Sequence, residues 1–240
     1  MTYANSLARE RLGLLGGMGS EAAAHFLRVL AQRTPARTDQ DHLPFLMLSC
    51  PDIADRSAAI LALDLSVRDE ILRNLTALER AGCAALAIPC NTAHYWRAYF
   101  AAHLTVPFID IVEATTAQIV KRRDRSVVIL GTRATIEGRL YADPLLKHGV
   151  DVLQPEPGVV AQIEEMIALV KAGDRDPATR GLQRVLQVLQ KRGLDAIVLA
   201  CTELSMIAPS PTHRSIVDPD VCLADACVTW WHAHCAQATI

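Results

Sequence analysis

Two cysteines each follow an apolar, strand-like segment and precede small polar residues. In the segment IPCNTAHYW, Cys90 is followed by Asn91 and Thr92. In the segment VLACTELSM, far downstream, Cys201 is followed by Thr202. A thiol is an acid and, once ionised, a base. A pair of thiols that face one substrate could therefore move a proton from one side of it to the other.

Inversion of a tetrahedral carbon that bears a hydrogen is the reaction that needs two such groups. A thiolate on one face removes the proton, and a thiol on the opposite face returns one. The reverse reaction exchanges these roles, so the two groups should be alike. A helix start lowers the pKa of a nearby thiol, and we expect such a start after both cysteines. The carbanion needs hydrogen-bond donors, for which Asn91, Thr92 and Thr202 are well placed.

Short apolar segments alternate with longer segments of helical periodicity, and this alternation predicts the elements that position the cysteines. Strands that are apolar on both faces and separated by helices are typical of parallel sheets covered on each side. In such sheets, ligands bind beyond the carboxyl ends of the strands, where both cysteines lie. The predicted strands are 11–17, 45–50, 84–90, 106–110, 126–132, 150–155, 195–201 and 215–219, and the clearest predicted helices are 20–34, 66–82 and 176–193.

An internal echo, that is, a pattern of segments that occurs twice in the chain, predicts two similar lobes. LLGG precedes the first cysteine segment and ILGT the second, and the spacing from Gly17 to Cys90 nearly equals that from Gly131 to Cys201. We therefore predict an α/β fold of two similar lobes, each a parallel sheet flanked by helices, with the active-site cleft between them. The first lobe is predicted to comprise residues 1–108 plus 218–240, and the second residues 109–217.

The composition limits the classes of partner. The chain has 240 residues, 51% apolar and 21% charged, with a formal net charge of −2. That charge does not attract nucleic acid, and no apolar stretch reaches the roughly 18 residues of a membrane helix. The seven cysteines are an odd number, and the amino terminus is too polar for a secretory signal. We expect a cytoplasmic protein with reduced thiols that binds neither nucleic acid nor membranes.

The motifs resemble those of the aspartate/glutamate racemase superfamily, specifically its cofactor-independent aspartate racemase branch. GLLGGMGSEA resembles the opening motif of that branch, TPARTDQDHLP a later loop, PDIADRS a segment with an arginine, and LGTRAT a turn of the second lobe. PCNTAH and ACTEL resemble its two catalytic-cysteine motifs. The resemblance spans nearly the whole chain, and the two cysteine motifs together are its specific part.

The resemblance implies an isomerase that racemises an acidic amino acid, aspartate or glutamate, without pyridoxal phosphate, often as a homodimer. It implies that Cys90 and Cys201 are the catalytic acid–base pair and that Arg56 lies near the side-chain carboxylate of the substrate. No cofactor or metal is expected. The predicted substrate-binding residues are Gly17, Met18, Arg56, Asn91, Thr92, Thr132, Thr202 and Glu203.

Three departures from the pattern of the branch bear on the substrate. The branch usually has a proline where this chain has Ser20, and often paired asparagines where it has Ser49 and Cys50. Aspartate-specific members place a lysine in the segment after VDVLQP, whereas residues 156–170 contain none and the first lysine is Lys171. The loss of one cation weakens the case for a dicarboxylate substrate more than the case for thiol chemistry.

Two other motifs suggest ligands of different chemistry. The turn from Gly17 to Ala22 fits the G-x-G-x-x-A dinucleotide pattern, but the next predicted strand ends in no acidic residue that could bind a ribose. The segment CVTWWHAHC contains Cys227, His232, His234 and Cys235, in a spacing that matches no closed zinc site. We therefore predict a turn for a small anion at the first motif and an amphipathic terminal helix, with its tryptophans packed inward, at the second.

Several residues keep two interpretations. His94 either lowers the pKa of a thiol or is a hydrogen-bonded core residue. Glu203 either orients the second cysteine segment or complements a helix start. The segment with Asp39, Asp41 and His42 is either a solvated loop or a flap over the cleft. For the whole protein, the alternatives to a racemase are a superfamily decarboxylase or isomerase that uses one thiol, and a non-catalytic small-anion binding protein.

Overall fold

Two four-stranded parallel sheets, flanked by helices, form the framework of the chain. The computed structural model describes residues 11–208 and 215–237, with side chains up to His234. The residues before Arg11, part of the segment predicted not to be a secretory signal, and the side chain of Cys235 lie outside the described residues. This architecture confirms the predicted α/β fold.

The two sheets repeat one strand order. The first is ordered β2-β1-β3-β4 and the second β6-β5-β7-β8. A strand is present in each predicted segment, and the strands stop short of the predicted ends. Pro89, for example, has no N–H for the ladder, so β3 ends before it. The strands are β1 (Arg11–Gly16), β2 (Phe45–Ser49), β3 (Cys83–Ala87), β4 (Phe108–Ile109), β5 (Ser126–Gly131), β6 (Asp151–Leu153), β7 (Ala196–Ala200) and β8 (Ile216–Val217).

The helices connect the strands, and three of the longer ones are clearly amphipathic. In α3 the buried side chains Val67, Ile71, Leu75 and Leu78 recur at helical spacing and face the first sheet. Asp110 caps α5, because its carboxylate accepts hydrogen bonds from the backbone N–H groups at the helix start. Here α3 comprises Ser66–Arg80 and α5 comprises Ile111–Arg122. Among the described residues, no helix is long and apolar enough to cross a membrane.

The helices are α1 (Ser20–Arg33), α2 (Arg56–Leu61), α3 (Ser66–Arg80), α4 (Arg97–His103), α5 (Ile111–Arg122), α6 (Arg133–Glu137), α7 (Ala142–Lys147), α8 (Pro157–Lys171), α9 (Arg175–Gln190), α10 (Thr202–Ile207) and α11 (Pro219–Gln237).

One apolar cluster is shared by both sheets. It contains Leu12 and Leu14 of β1, Val127 and Ile129 of β5, and Leu223 of α11. Helix α11 packs against α1 and α5, and its tryptophans are partly buried against this cluster. The shared core holds the carboxyl ends of the two sheets close to each other. The division into residues 1–108 plus 218–240 and residues 109–217 stays a prediction.

Candidate active site

The central strands of both sheets end at one cavity. Met18 follows β1, Cys90 follows β3, Thr132 follows β5 and Cys201 follows β7. The carboxyl ends of central parallel strands, where the connections diverge, are the usual ligand site of such sheets. The lining residues are Met18, Asp55, Arg56, Ser57, Cys90, Asn91, Thr92, Thr132, Lys171, Cys201, Thr202 and Glu203.

Gly17 is the one predicted site residue that does not line this cavity. Its φ is +91°, which side chains other than hydrogen rarely tolerate, and a Cβ there would lie 2.5 Å from the backbone of Cys50. Gly17 thus allows the turn after β1 to pass close to the end of β2.

Both cysteines leave their strands through the same tight turn. The backbone N–H of Cys90 donates to the carbonyl of Ile88 at 2.9 Å, and that of Cys201 donates to the carbonyl of Leu199 at 2.8 Å. Both residues are 6% exposed. The two sheets therefore present their thiols to the cavity in locally equivalent geometry.

Glu203 is the hydrogen-bond partner of the second thiol. Cys201 Sγ donates to Glu203 Oε2 at 2.9 Å, and Thr202 Oγ1 donates to the same oxygen at 3.2 Å. Burial, with the negative charge of Glu203, raises the pKa of the Cys201 thiol well above its usual range. The prediction of a lowered pKa is therefore wrong for Cys201, because burial and a like charge outweigh the start of α10. Of its two interpretations, Glu203 fits the one that orients the cysteine segment.

His94 holds the backbone of the residue that carries the first thiol. It is fully buried, its Nδ1 lies 2.9 Å from the carbonyl oxygen of Cys90, and its Nε2 accepts from the backbone N–H of Ile111 at 3.3 Å. Burial lowers the pKa of His94, so its ring is neutral. Because Nε2 accepts a hydrogen bond, Nδ1 carries the hydrogen and donates it to the carbonyl oxygen of Cys90. His94 is thus a hydrogen-bonded core residue that joins the Cys90 turn to the start of α5.

The hydroxyl groups of three threonines meet across the cleft. Thr92 Oγ1 lies 3.2 Å from Thr132 Oγ1 and 3.3 Å from Thr135 Oγ1, and the latter two are 3.0 Å apart. Beside them, the Oδ1 atom of Asn91 accepts a hydrogen bond from the phenol of Tyr141. The Nδ2 atom of Asn91 is buried and has no partner among the described residues. This wall of the cavity therefore offers both a free amide donor and hydroxyls that can rotate.

Two cations line the cavity. The guanidinium of Arg56 is buried and donates to the carbonyls of Ile53, Ala54 and Met18, at 3.0 to 3.1 Å. Its Nε has no partner among the described residues. Lys171 is the last residue of α8, a helix that packs on the second sheet, and it also lines the cavity. A lysine thus lines the cavity one position beyond residues 156–170, the segment in which the sequence contains none.

Asp55, Ser57 and Lys171 are cavity residues that the sequence analysis did not predict. Asp55 Oδ1 caps α2 by accepting from Ala58 N–H at 2.9 Å, and its Oδ2 lies 3.8 Å from the Nζ of Lys171. An Asp at a helix start is a recognisable cap, so this signal could have found Asp55. No local signal marks Lys171, because its place depends on how α8 packs against the other lobe.

The Asp39–His42 segment and the described residues of the CVTWWHAHC motif lie outside the cavity lining. Asp41 is exposed and accepts from the backbone N–H groups of Arg37 and Thr38, which caps a short 3₁₀ turn. In α11, Cys227 is fully buried whereas His232 is exposed. The Asp39–His42 segment is thus an ordinary solvated loop in this structure. The terminal motif is part of α11, which has a buried and an exposed side, but the prediction of an amphipathic helix is wrong because apolar residues are spread around the helix.

Comparison with known proteins places this geometry in a family. The Asp/Glu/hydantoin racemase family model matches residues 15–227. The chain is 28% identical over 230 residues to a broad specificity amino-acid racemase of Bacillus subtilis, covering 93% of this chain and 99% of that protein. It is 33% identical over 157 residues to the glutamate racemase of Deinococcus radiodurans, covering 61% of this chain and 51% of that protein. The solved structure of Picrophilus torridus aspartate racemase superposes with a TM-score of 0.84 at 28% identity, covering 93% of this chain and 94% of that one.

Proposed function

Since the chain belongs to the Asp/Glu/hydantoin racemase family and is an amino-acid racemase, an isomerase, we propose that Cys90 and Cys201 invert the α-carbon of its substrate. The equivalence of the two thiols carries this proposal. They follow corresponding strands of the two sheets, make the same turn and line one cavity. An inversion that runs in both directions calls for two such like groups, and a decarboxylase or a binding protein would need only one or neither.

The proton balance requires one thiolate and one thiol before each turnover. The thiolate takes the α-proton and becomes a thiol, while the electron pair left on the α-carbon is delocalised into the substrate carboxylate. The opposite thiol gives its proton to the other face and becomes the thiolate. Cys201 fits the thiol in the resting protein, because burial and Glu203 keep its proton in place. For the opposite direction Cys201 must be the thiolate and Cys90 the thiol, which is the state that one forward turnover leaves. Glu203 Oε2 is also within reach to take the Cys201 proton when Cys90 has received one from solvent.

We further propose an acidic substrate, aspartate or glutamate. The Nδ2 atom of Asn91 and the hydroxyls of Thr92 and Thr202 would receive the α-carboxylate and ammonium groups. Arg56 and Lys171 would receive the side-chain carboxylate. A buried guanidinium with an unpaired Nε favours a carboxylate as ligand, since both gain a charge-assisted hydrogen bond. The similar aspartate and glutamate racemases support this choice.

Hydrogen exchange in deuterated water tests the two-thiol mechanism. Cys90→Ala and Cys201→Ala should each abolish racemisation of aspartate and glutamate, because inversion needs a base and an opposite acid. Each variant should still exchange the α-hydrogen of one enantiomer, with retention, and the two variants should differ in which one. Proton NMR and polarimetry measure exchange and inversion separately.

Cys50→Ala is the matched control, because Cys50 is a free thiol near the end of β2 that does not line the cavity. It should racemise at the wild-type rate. The assays run without pyridoxal phosphate, before and after dialysis against a chelator, since the mechanism needs neither cofactor nor metal. A Cys201→Ala variant that interconverts the enantiomers at near the wild-type rate would show that Cys201 is a core residue.

Two properties of the whole protein stay predictions. The resemblance to the racemase branch suggests a homodimer, and the composition suggests a cytoplasmic location.

A further inference from the structure

Asn91 is a buried amide with only one end occupied. It is 2% exposed and lines the cavity directly after Cys90. Its Oδ1 accepts the hydrogen bond from Tyr141, and its Nδ2 has no partner among the described residues. An unpaired buried donor is energetically costly, so a cavity that holds such a donor is prepared for an acceptor in the ligand.

Tyr141 reaches this amide from the other lobe. It lies just before α7, is 1% exposed, and its ring is part of the apolar cluster shared by the two sheets. Rotation of the phenol away from Asn91 is blocked by that packing. Burial raises the pKa of Tyr141 well above its usual range, so the phenol keeps its proton as a hydrogen-bond donor.

The direction of this bond decides which end of the amide the substrate meets. The two ends of an Asn side chain are nearly equal in shape, so an unsupported amide can present either its oxygen or its nitrogen. A donor held against Oδ1 leaves Nδ2 as the end that is available to the ligand. An amide turned the other way would present its oxygen to a carboxylate and repel it.

We propose that Tyr141 is a positioning residue that fixes the Asn91 amide with its Nδ2 toward the substrate carboxylate. This inference rests on the proposed function of the cavity. It also assigns a role to the contact between lobes: the second lobe orients a substrate donor that the first lobe carries.

Tyr141→Phe tests this role, because it removes only the hydroxyl and keeps the buried ring. The probe is whichever of L-aspartate and L-glutamate the wild type binds more tightly by calorimetry. We expect kcat/KM for racemisation and the affinity for this probe to fall about ten-fold, the upper end of what one hydrogen bond contributes. The thermal midpoint reports whether the fold is retained. Tyr95→Phe, which changes a half-exposed tyrosine outside the cavity lining, should leave both quantities unchanged.

A double-mutant cycle separates positioning from packing. Because Tyr141 is proposed to act through Asn91, the double variant Asn91→Ala/Tyr141→Phe should bind and turn over no worse than Asn91→Ala alone. Losses that add in full would overturn the proposal. So would a Tyr141→Phe variant with wild-type affinity.

A spectroscopic signal keeps the inference independent of turnover. The side-chain NH₂ pair of Asn91, assigned by its loss in Asn91→Ala, should shift or broaden in Tyr141→Phe and not in Tyr95→Phe. Unchanged signals would contradict the proposal even if the wild type proves to be an active racemase. Conversely, shifted signals in a protein that does not racemise would uphold Tyr141 and count against the proposed function alone.

Discussion

At the scale of single residues, Glu203 is the group on which the behaviour of the second thiol depends. Its carboxylate accepts the Cys201 hydrogen bond, and its charge contributes to the raised pKa of that thiol. Glu203→Gln removes both the acceptor and the charge. We expect kcat/KM to fall by about 10²-fold, the lower range for a lost acid–base group. The pH limb that reports Cys201 should move to lower pH, because the repelling charge is gone.

The two enantiomers have equal free energies, so kcat/KM must fall equally in both directions and cannot identify the affected face. Deuterium exchange does identify the affected face. The enantiomer whose α-proton Cys201 removes should exchange slowly in Glu203→Gln, and the other enantiomer should exchange normally. Glu164→Gln makes the same change on α8, where the carboxylate pairs with Arg133, and should leave exchange unaltered. Equal slowing of both exchanges in Glu203→Gln would rule out a role specific to Cys201.

Lys171 is the cation that tests the substrate class most cleanly. Arg56 holds three backbone carbonyls, so Arg56→Ala also disturbs the turn after β1. Among the described residues, the side chain of Lys171 makes only a 3.8 Å ion pair with Asp55, and both side chains are about half exposed. Lys171→Met should raise KM for aspartate about ten-fold, the effect of losing one charge-assisted hydrogen bond, and should leave KM for alanine unchanged. Lys147→Met, at the exposed end of α7, is the control. Equal changes for aspartate and alanine would show that Lys171 does not meet the side-chain carboxylate.

Strand patterns predicted the cavity residues that follow strands, and the family resemblance added Arg56, but neither indicated Lys171. Cys90, Thr132 and Cys201 come directly after apolar segments, so the parallel-sheet rule places them at one edge. Lys171 ends a helix whose distance from the cavity is set by packing between lobes, which has no local signature. The direction of the Cys201 pKa shift was missed for a similar reason, because burial is a property of the assembled core.

At the scale of elements, the start of α11 carries a buried acidic pair. Asp218 accepts from the Ser205 hydroxyl at 2.7 Å and from the Asp220 backbone N–H at 2.9 Å. Asp220 is fully buried, and neither of its carboxyl oxygens has a partner among the described residues. Burial, followed by the nearby charge of Asp218, raises the pKa of Asp220 well above its usual range. The start of a helix favours a negative charge, and here burial outweighs that preference.

Asp220→Asn should therefore stabilise the protein, increasingly so as pH rises. A carboxyl whose pKa is raised by folding contributes its full stability below its unfolded pKa of about 3.9, and that stability is lost as pH rises toward the folded pKa. Asparagine cannot ionise, so the stability difference should grow by up to about 1.4 kcal/mol per pH unit above pH 4. Urea unfolding at pH 5, 6.5 and 8 measures it.

Asp225→Asn on the same helix provides the opposite expectation. Asp225 pairs with Arg33 at 2.6 Å, and both side chains are about half exposed. Its loss should destabilise the protein by at most about 1 kcal/mol, as for other exposed ion pairs. An Asp220→Asn variant that is less stable than the wild type at pH 8 would mean that Asp220 is ionised and paired in the folded protein.

The long elements were predictable and the short ones were not. Helices α1, α3 and α9 span several turns, so their buried residues repeat often enough to be recognised. Helices α2, α6 and α10 have five or six residues, too few for a period. The helix expected directly after Cys90 begins as a 3₁₀ turn, Thr92–Trp96, and becomes α-helical only at Arg97.

At the scale of the whole molecule, the internal echo correctly indicated two sheets of one topology, yet it could not show that they share a core. The same alternation of strands and helices would fit two lobes that merely follow each other along the chain. Here residues of β1 and β5 pack in one cluster, and ion pairs cross the cleft between Glu21 and Arg175 and between Asp55 and Lys171. These ion pairs therefore join the two lobes outside the shared core.

The equivalent edge strands of the two sheets differ in a way that argues for the predicted homodimer. Strand β6 is three residues long and begins with Asp151, and short or charged edges resist pairing with other chains. Strand β2 has the sequence FLMLS, with Phe45 43% and Leu46 36% exposed, and no strand among the described residues pairs with its outer edge.

We expect two copies to associate through β2. Leu46→Lys should then convert a dimer to a monomer in light scattering after size exclusion, while Leu153→Lys, at an equally exposed leucine of β6, should stay dimeric. A wild-type protein that is monomeric at tens of micromolar, or a Leu46→Lys variant that remains dimeric, would show that β2 is not the interface.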